Sequence, residues 1–355
     1  MGERRSGAIE GVIASTGSYG AKQSARTGIT LQSLSNVPLN TKHRTSNTDL
    51  RFKKLQQTPN TEHRIHMKIL TLILAFLPLF LSAQDIDQLL NEATGGGSEY
   101  ATATFKSTRI INGHSIERMP AGQLDFRINH RFGQLNTGAY NLWGLDQANI
   151  HFSLEYGITN WIMVGVGRGT YEKTYDGFLK LSLLRQSKGD RNMPVSVSWF
   201  SSIAMNTLKW TGEGKLNDWD RVSYVHQLLV ARKFGERFSF ELNPTLVHRN
   251  MVGTELDPND TYAMGAGARF KLTKRFSLNA EYYYIIPPFH DYRTEKTFNP
   301  LSIGVDIETG GHVFTIMFTN SLAMIEKGFI GETTGDWRNA GIHLGFNISR
   351  VFALK

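Results

Sequence analysis

From residue 122 onward, apolar and polar residues alternate with a period of two. In 123–132, Leu124, Phe126, Ile128 and Phe132 share one face, and Gln123, Asp125, Arg127, Asn129 and Arg131 share the other. Successive side chains of a β-strand point to opposite faces, so one face must meet an apolar medium and the other a wet one. The same alternation returns at 150–156, 179–183, 195–199, 238–242, 262–271, 276–284, 301–308 and 342–349. Three stretches are less regular, at 161–168, 222–234 and 312–319. In the second of these, His226 and Gln227 blur the phase, and a bulge is expected there. The total is twelve strands of about 8 to 12 residues, close to the length of a tilted strand that crosses a bilayer.

The connections alternate as well. Tight links lie at 157–160, 235–237, 273–275 and 309–311, with a somewhat longer one at 186–194. The intervening links, 133–148, 206–221, 248–261, 287–300 and 320–339, are long and polar, and only 169–177 is short. Short turns on one side and long loops on the other are expected of an all-β transmembrane antiparallel β-barrel, with the short turns periplasmic and the longer loops extracellular. A secreted β-sandwich or lipocalin-like barrel also has alternating strands. Loop asymmetry favours the membrane barrel, as does the placement of Tyr156, Trp161, Trp199, Tyr282 and Tyr284 towards strand ends, where interfacial girdle residues sit. No run of 18 or more apolar residues exists, which excludes a helical multi-span protein.

The first 121 residues read differently. Residues 1–66 are polar and aperiodic, with ten Lys/Arg against four Asp/Glu. That composition fits a disordered or non-native extension. At Met67-Lys68 begins a secretory signal peptide over 67–83: a basic start, the apolar run 69–81, then Ser82-Ala83. Translation is therefore expected to start at Met67, with 1–66 reflecting a misplaced gene start. No cysteine stands at the cleavage site, so the product is not a lipoprotein. The segment 84–121 is read as a periplasmic N-terminal piece and a candidate plug, with a helical turn or two at 85–92 and a β-like run from Thr102 to Ile111 ending in Asn112-Gly113. The barrel itself occupies 122–355. The formal charge of +8 suggests nucleic acid at first sight. Almost all of it lies in 1–68, and 84–355 carries 28 Lys/Arg against 27 Asp/Glu, so no nucleic-acid partner is expected.

Several stretches resemble a known family. They are 104–117, 124–133, 301–314, 318–321 and 345–352, which include Thr104-Phe105-Lys106, Asp125-Phe126-Arg127, Val305-Asp306-Ile307-Glu308 and Asn347-Ile348-Ser349. Together they are similar to an uncharacterised family of Gram-negative outer-membrane β-barrel proteins, a domain of unknown function. The resemblance covers most of 85–355 and implies residence in the bacterial outer membrane, but no site residues. The aromatic-rich strand 342–352 resembles the C-terminal signal by which such barrels are recognised, with Ala353-Leu354-Lys355 following Phe352. Outer-membrane lipid and the barrel-assembly machinery are thus the expected partners.

If the apolar face meets lipid, the lumen is lined by Asp125, Arg127, Arg131, His151, Glu155, Lys180, Glu241, Arg269, Lys271, Glu281, Asp306, Glu308 and His343. Arg or Lys near the midplane of the lipid face costs about 2–4 kcal/mol, so charges belong inside. Both signs are present, which suits a diffusion pore and suits equally a closed interior of paired charges. Asp306 and Glu308, with Glu281 beside them, form an acidic patch that either favours cations or amines or pairs with Arg269 and Lys271. Catalytic motifs are absent: there is no Gly-x-Ser-x-Gly, no His-Glu-x-x-His, and Gly212-Glu213-Gly214-Lys215 is followed by Leu216 rather than Ser or Thr. Gly165-Val166-Gly167-Arg168-Gly169 reads as a strand whose small residues relieve lumen crowding. His151, Ser153 and His343 face inward by phase, without metal-ligand spacing. No cofactor is expected.

Three functions remain open. One is a porin-like barrel passing or binding a small polar solute. The second is an outer-membrane enzyme modifying lipid or lipopolysaccharide. The third is a closed structural or docking barrel, with the lumen plugged by 85–120.

Overall fold

The computed structural model describes residues 97–211, 215–253, 257–287 and 296–354. The extension 1–66, the signal peptide 67–83 and the acidic stretch 85–92 lie outside the described residues. Twelve strands form one closed antiparallel barrel. In chain order they are β2 (Gln123–Gln134), β3 (Ala148–Gly157), β4 (Ile162–Gly169), β5 (Tyr175–Leu184), β7 (Ser196–Met205) and β8 (Val222–Lys233). Then follow β9 (Phe238–Arg249), β10 (Asp260–Lys271), β11 (Phe276–Ile285), β12 (Leu301–Thr309), β13 (His312–Thr319) and β14 (His343–Ala353). Each strand pairs with its neighbours in sequence, and β14 closes on β2 with Ile348 opposite Ile128. Closure leaves no strand edge unpaired, which lipid would not tolerate. Two further short strands, β1 (Glu99–Tyr100) and β6 (Ser187–Lys188), pair with each other outside the barrel.

Phase decides which side each residue meets. Phe152, Leu154, Val166, Leu242, Leu278, Ile303, Ile316 and Phe318 stand on the outer face and are exposed. An apolar band of this extent is the surface a lipid-embedded barrel presents. The opposite phase is polar and buried, with Asp125, Arg127, Asn129 and Arg131 of β2 pointing inward.

The expected bulge in 222–234 is absent. Gln227 opposite Thr245 and Val230 opposite Leu242 keep one register through β8 and β9. The phase continues unbroken because His226 stays on the outer face, where the Ser201 hydroxyl meets its Nδ1 at 3.0 Å. A polar pair that satisfies itself is tolerable where an isolated imidazole is not. Register shifts occur instead at Ser182/Leu184 and at His343/Gly345.

The lumen is filled from both ends. Residues 102–119 enter from the short-turn side and the connection 320–341 folds in from the other. The second carries a helix, α1 (Glu326–Gly331), all of whose residues are buried. Phe329 and Ile330 of α1 pack with Val225, Val247, Ala263 and Tyr283 of the wall.

Candidate functional site: the lumen and the segment that fills it

Within 102–119 the chain makes a small hairpin. Arg109 and His114 form an antiparallel bridge, Ser115 N–H donates to Thr108 O at 2.9 Å, and Ile110 N–H donates to Gly113 O at 2.9 Å. Asn112-Gly113 forms part of the turn, as that dipeptide does in tight hairpins. Gly113 is required for a second reason: a Cβ there would run into the Tyr283 hydroxyl. Phe105, Ile110, Ile111, Ile116 and Met119 bury against Met163, Phe178, Phe200, Leu229, Ala231 and Met317. Each large apolar side chain so buried contributes about 1.5–3 kcal/mol. Room for it comes from small wall residues, since a Cβ at Gly267 would strike Ile110.

A two-rung hairpin leaves most of its backbone polar groups without partners of its own, and burying them unpaired is costly. The wall's charged side chains take that role. The Glu281 carboxylate accepts from three consecutive N–H groups, those of Ile111 at 3.2 Å, Asn112 at 2.8 Å and Gly113 at 3.1 Å. Glu241 accepts from Ile116 N–H at 2.7 Å. The Lys180 ammonium donates to the carbonyls of Thr108, Ser115 and Glu117 at 3.3, 3.0 and 2.9 Å. Arg269 donates to those of Ala103 and Thr104 at 2.6 and 3.0 Å. Asn347 donates to Ile111 O at 2.8 Å.

Side-chain contacts complete the fit. Arg131 donates to Asn112 Oδ1 at 2.6 Å, and Asn112 Nδ2 donates to Ser302 at 2.9 Å. The Thr108 hydroxyl donates to Glu155 at 2.6 Å and accepts from Arg127 at 2.9 Å. The Arg109 guanidinium lies 3.6 Å from Glu155 and 3.3 Å from Glu326 of α1, so the two fillers meet inside the barrel. Lys106 pairs with Glu308 at the short-turn rim.

His114 sits at the hairpin's inner end. Its ring lies 4.5 Å from that of Phe178, edge-on, and 4.2 Å from that of Phe200. Neither ring nitrogen makes a well-formed hydrogen bond. Burial holds this imidazole well below its usual range, and the nearby Arg109, Lys180 and Arg127 charges push the same way, so it is neutral.

The remaining inward candidates brace the wall. Asp125 accepts from Arg127 at 2.8 Å and from Ser349 at 2.7 Å. Asp306 accepts from Asn279 at 2.5 Å and Thr315 at 2.7 Å. His151 Nε2 lies 2.7 Å from Asp176, whereas His343 Nδ1 meets Phe132 O at 2.8 Å, so the two histidines are held by different partners. Lys271 and Glu308 are only half-buried and sit at the rim. The acidic patch does not pair with Arg269 and Lys271 by direct contact: Glu281 holds the hairpin, Glu308 holds Lys106, and Asp306 holds neighbouring side chains. At the long-loop end Lys327 of α1 pairs with Glu172 and, at 3.0 Å, with Glu332. Burial alone would lower that ammonium, but Glu332 and Glu172 outweigh it and hold it above its usual range.

Arg109, His114 and Glu326 were not among the lumen candidates read from the sequence, and Asn112 was read only as a turn. The one signal was the mixture of Phe105, Ile110, Ile111 and Ile116 with charges in a segment read as a candidate plug. No cluster of three or more potential metal ligands exists among the described residues. The Ser201–His226 pair has the elements of a nucleophile and base.

Among curated proteins, none matches the chain. Solved outer-membrane structures are similar at low identity. A NanC porin shares 8% identity over 65% of this chain and 99% of its own, with a TM-score of 0.39. The COG4313 outer membrane channel from Pseudomonas putida F1 shares 12% over 67% and 98%, with a TM-score of 0.39. Outer membrane phospholipase A from Escherichia coli shares 13% over 69% and 96%, with a TM-score of 0.34. A sequence family covers the wall and the hairpin together, over residues 105–352. The chain belongs to that family, described as the membrane bound beta barrel domain (DUF5777).

Proposed function

We propose that this barrel is an outer-membrane channel for small polar solutes, and that its own segment 102–119 is the gate. The observation that carries the reading is the chemistry of the contact between gate and wall. Charged wall residues, Glu241, Glu281, Lys180 and Arg269 among them, hold the segment largely through hydrogen bonds. With the segment out, those same groups would line a bore that water can solvate. A wall built to hold the segment by apolar contact alone would lose its driving force for hydration on release. Mixed charges suit uncharged or zwitterionic polar solutes better than ions of one sign.

Planar-bilayer recording tests the reading. The native chain is expected to be silent for most of the record, and a Glu241→Gln/Glu281→Gln double variant to open far more often. A double variant as silent as the native chain, while its segment is released, would favour a closed structural or docking barrel.

A further inference from the structure

The wall reads the segment chiefly as a peptide backbone. Glu281 captures three successive N–H groups, Lys180 three carbonyls, Arg269 two, and Glu241, Asn347 and Lys233 one each. None of these contacts depends on which side chain the bound residue carries. Side-chain requirements are few and local. The residue at 113 must lack a Cβ, since one would run into the Tyr283 hydroxyl. The side chain at 112 must both accept from Arg131 and donate to Ser302, as an amide does. The side chain at 109 must reach Glu155 and Glu326 with a positive charge. The side chain at 114 must be a flat ring that fits against Phe178 and Phe200.

We propose that the lumen wall is a peptide-binding site, whose ligand class is short peptides that fold into an Asn-Gly hairpin flanked by a basic residue and an aromatic or imidazole ring. The resident segment 102–119 is the tethered member of that class, and a free peptide of the same chemistry competes for the same groups. Such a ligand acts as a blocker when added to an emptied barrel and as a displacer when added to an occupied one. The proposal rests on the reading of 102–119 as displaceable, and the experiment separates the two.

A protease recognition sequence inserted at the exposed Ala121 lets the full chain fold first and be cut afterwards. Three synthetic peptides are then compared on the cut barrel: residues 102–119 as they stand, the same peptide with Gly113→Val, and a scrambled version. If the cut segment washes out and current appears, the native peptide is expected to block it at a concentration about tenfold or more below that needed for either control. Equal potency of the three, or no block by any, overturns the inference while leaving the gate intact. If the cut segment stays seated and the barrel stays silent, the gate reading fails. The inference then predicts that excess labelled native peptide exchanges into the barrel and the Gly113→Val peptide does not. No exchange by either overturns it.

Discussion

In the proposed gate, His114 and Glu281 are the single residues that most affect the balance between closed and open. His114 is neutral while the segment is seated, because burial and three neighbouring cations disfavour its charge. Once released it has the ordinary imidazole pKa of about 6.5. The released state therefore binds the proton and the seated state does not. The seated state is fully stable above about pH 6.5 and loses stability as pH falls below it, by up to tenfold in the equilibrium per pH unit. Open probability in bilayers is expected to climb on acidification, and His114→Phe, which keeps a ring against Phe178 and Phe200, should flatten that part of the profile. An unchanged profile in the variant would remove His114 from the account. Glu281→Gln leaves one acceptor oxygen where a carboxylate served three N–H groups, and hydrogen bonds to charged groups are worth about 1.5–3 kcal/mol each. An increase in open probability of at least about tenfold is expected. Phase alone picks out Glu281, Glu241, Lys180 and Arg269 from the sequence. What phase does not reveal is their partner, because backbone N–H and C=O groups look the same under every residue name.

Strands were legible because two solvents impose two faces. The alternation in β2, β3, β9 to β12 and β14 is clean, since the outward residues meet lipid and most inward ones are polar. The irregular spots have local causes. In β8, His226 interrupts the apolar phase without breaking register, being satisfied from β7 by Ser201. In β4, inward glycines stand where large partners crowd in, and a Cβ at Gly165 would collide with the Phe178 ring. The inward fold of 320–341 had no such signature. Its helix α1 has six residues, too short for a helical period to show, and its buried Glu326 and Lys327 resemble those of an exposed loop. A strand-level prediction follows from the faces. Ile316 lies on the outer face near the middle of β13. Ile316→Arg is expected to destabilise the barrel by about 2–4 kcal/mol in urea titrations from lipid vesicles. A loss under about 0.5 kcal/mol, the range of ordinary surface substitutions, would argue that this face is not in lipid.

For the molecule as a whole, barrel and filler are one design: the wall carries charges that need partners, and the segment carries backbone groups that need the same. Closure by β14 on β2 fixes the wall, and the proposed gate requires the segment to leave it. The chain has no cysteine, so a pair introduced by design is the only one present. Ile110 of the hairpin and Gly267 of β10 are suited to it, because a Cβ built at Gly267 falls 3.4 Å from Ile110 Cγ1, close to the reach of a disulfide. The most direct test is the bilayer current of an Ile110→Cys/Gly267→Cys variant, recorded oxidised and then after a reductant is added to the same membrane. Silence is expected while the bridge holds the segment in the lumen, and openings are expected once it is reduced. Equal currents before and after reduction, with the bridge shown to have formed and broken, would contradict the proposed gate.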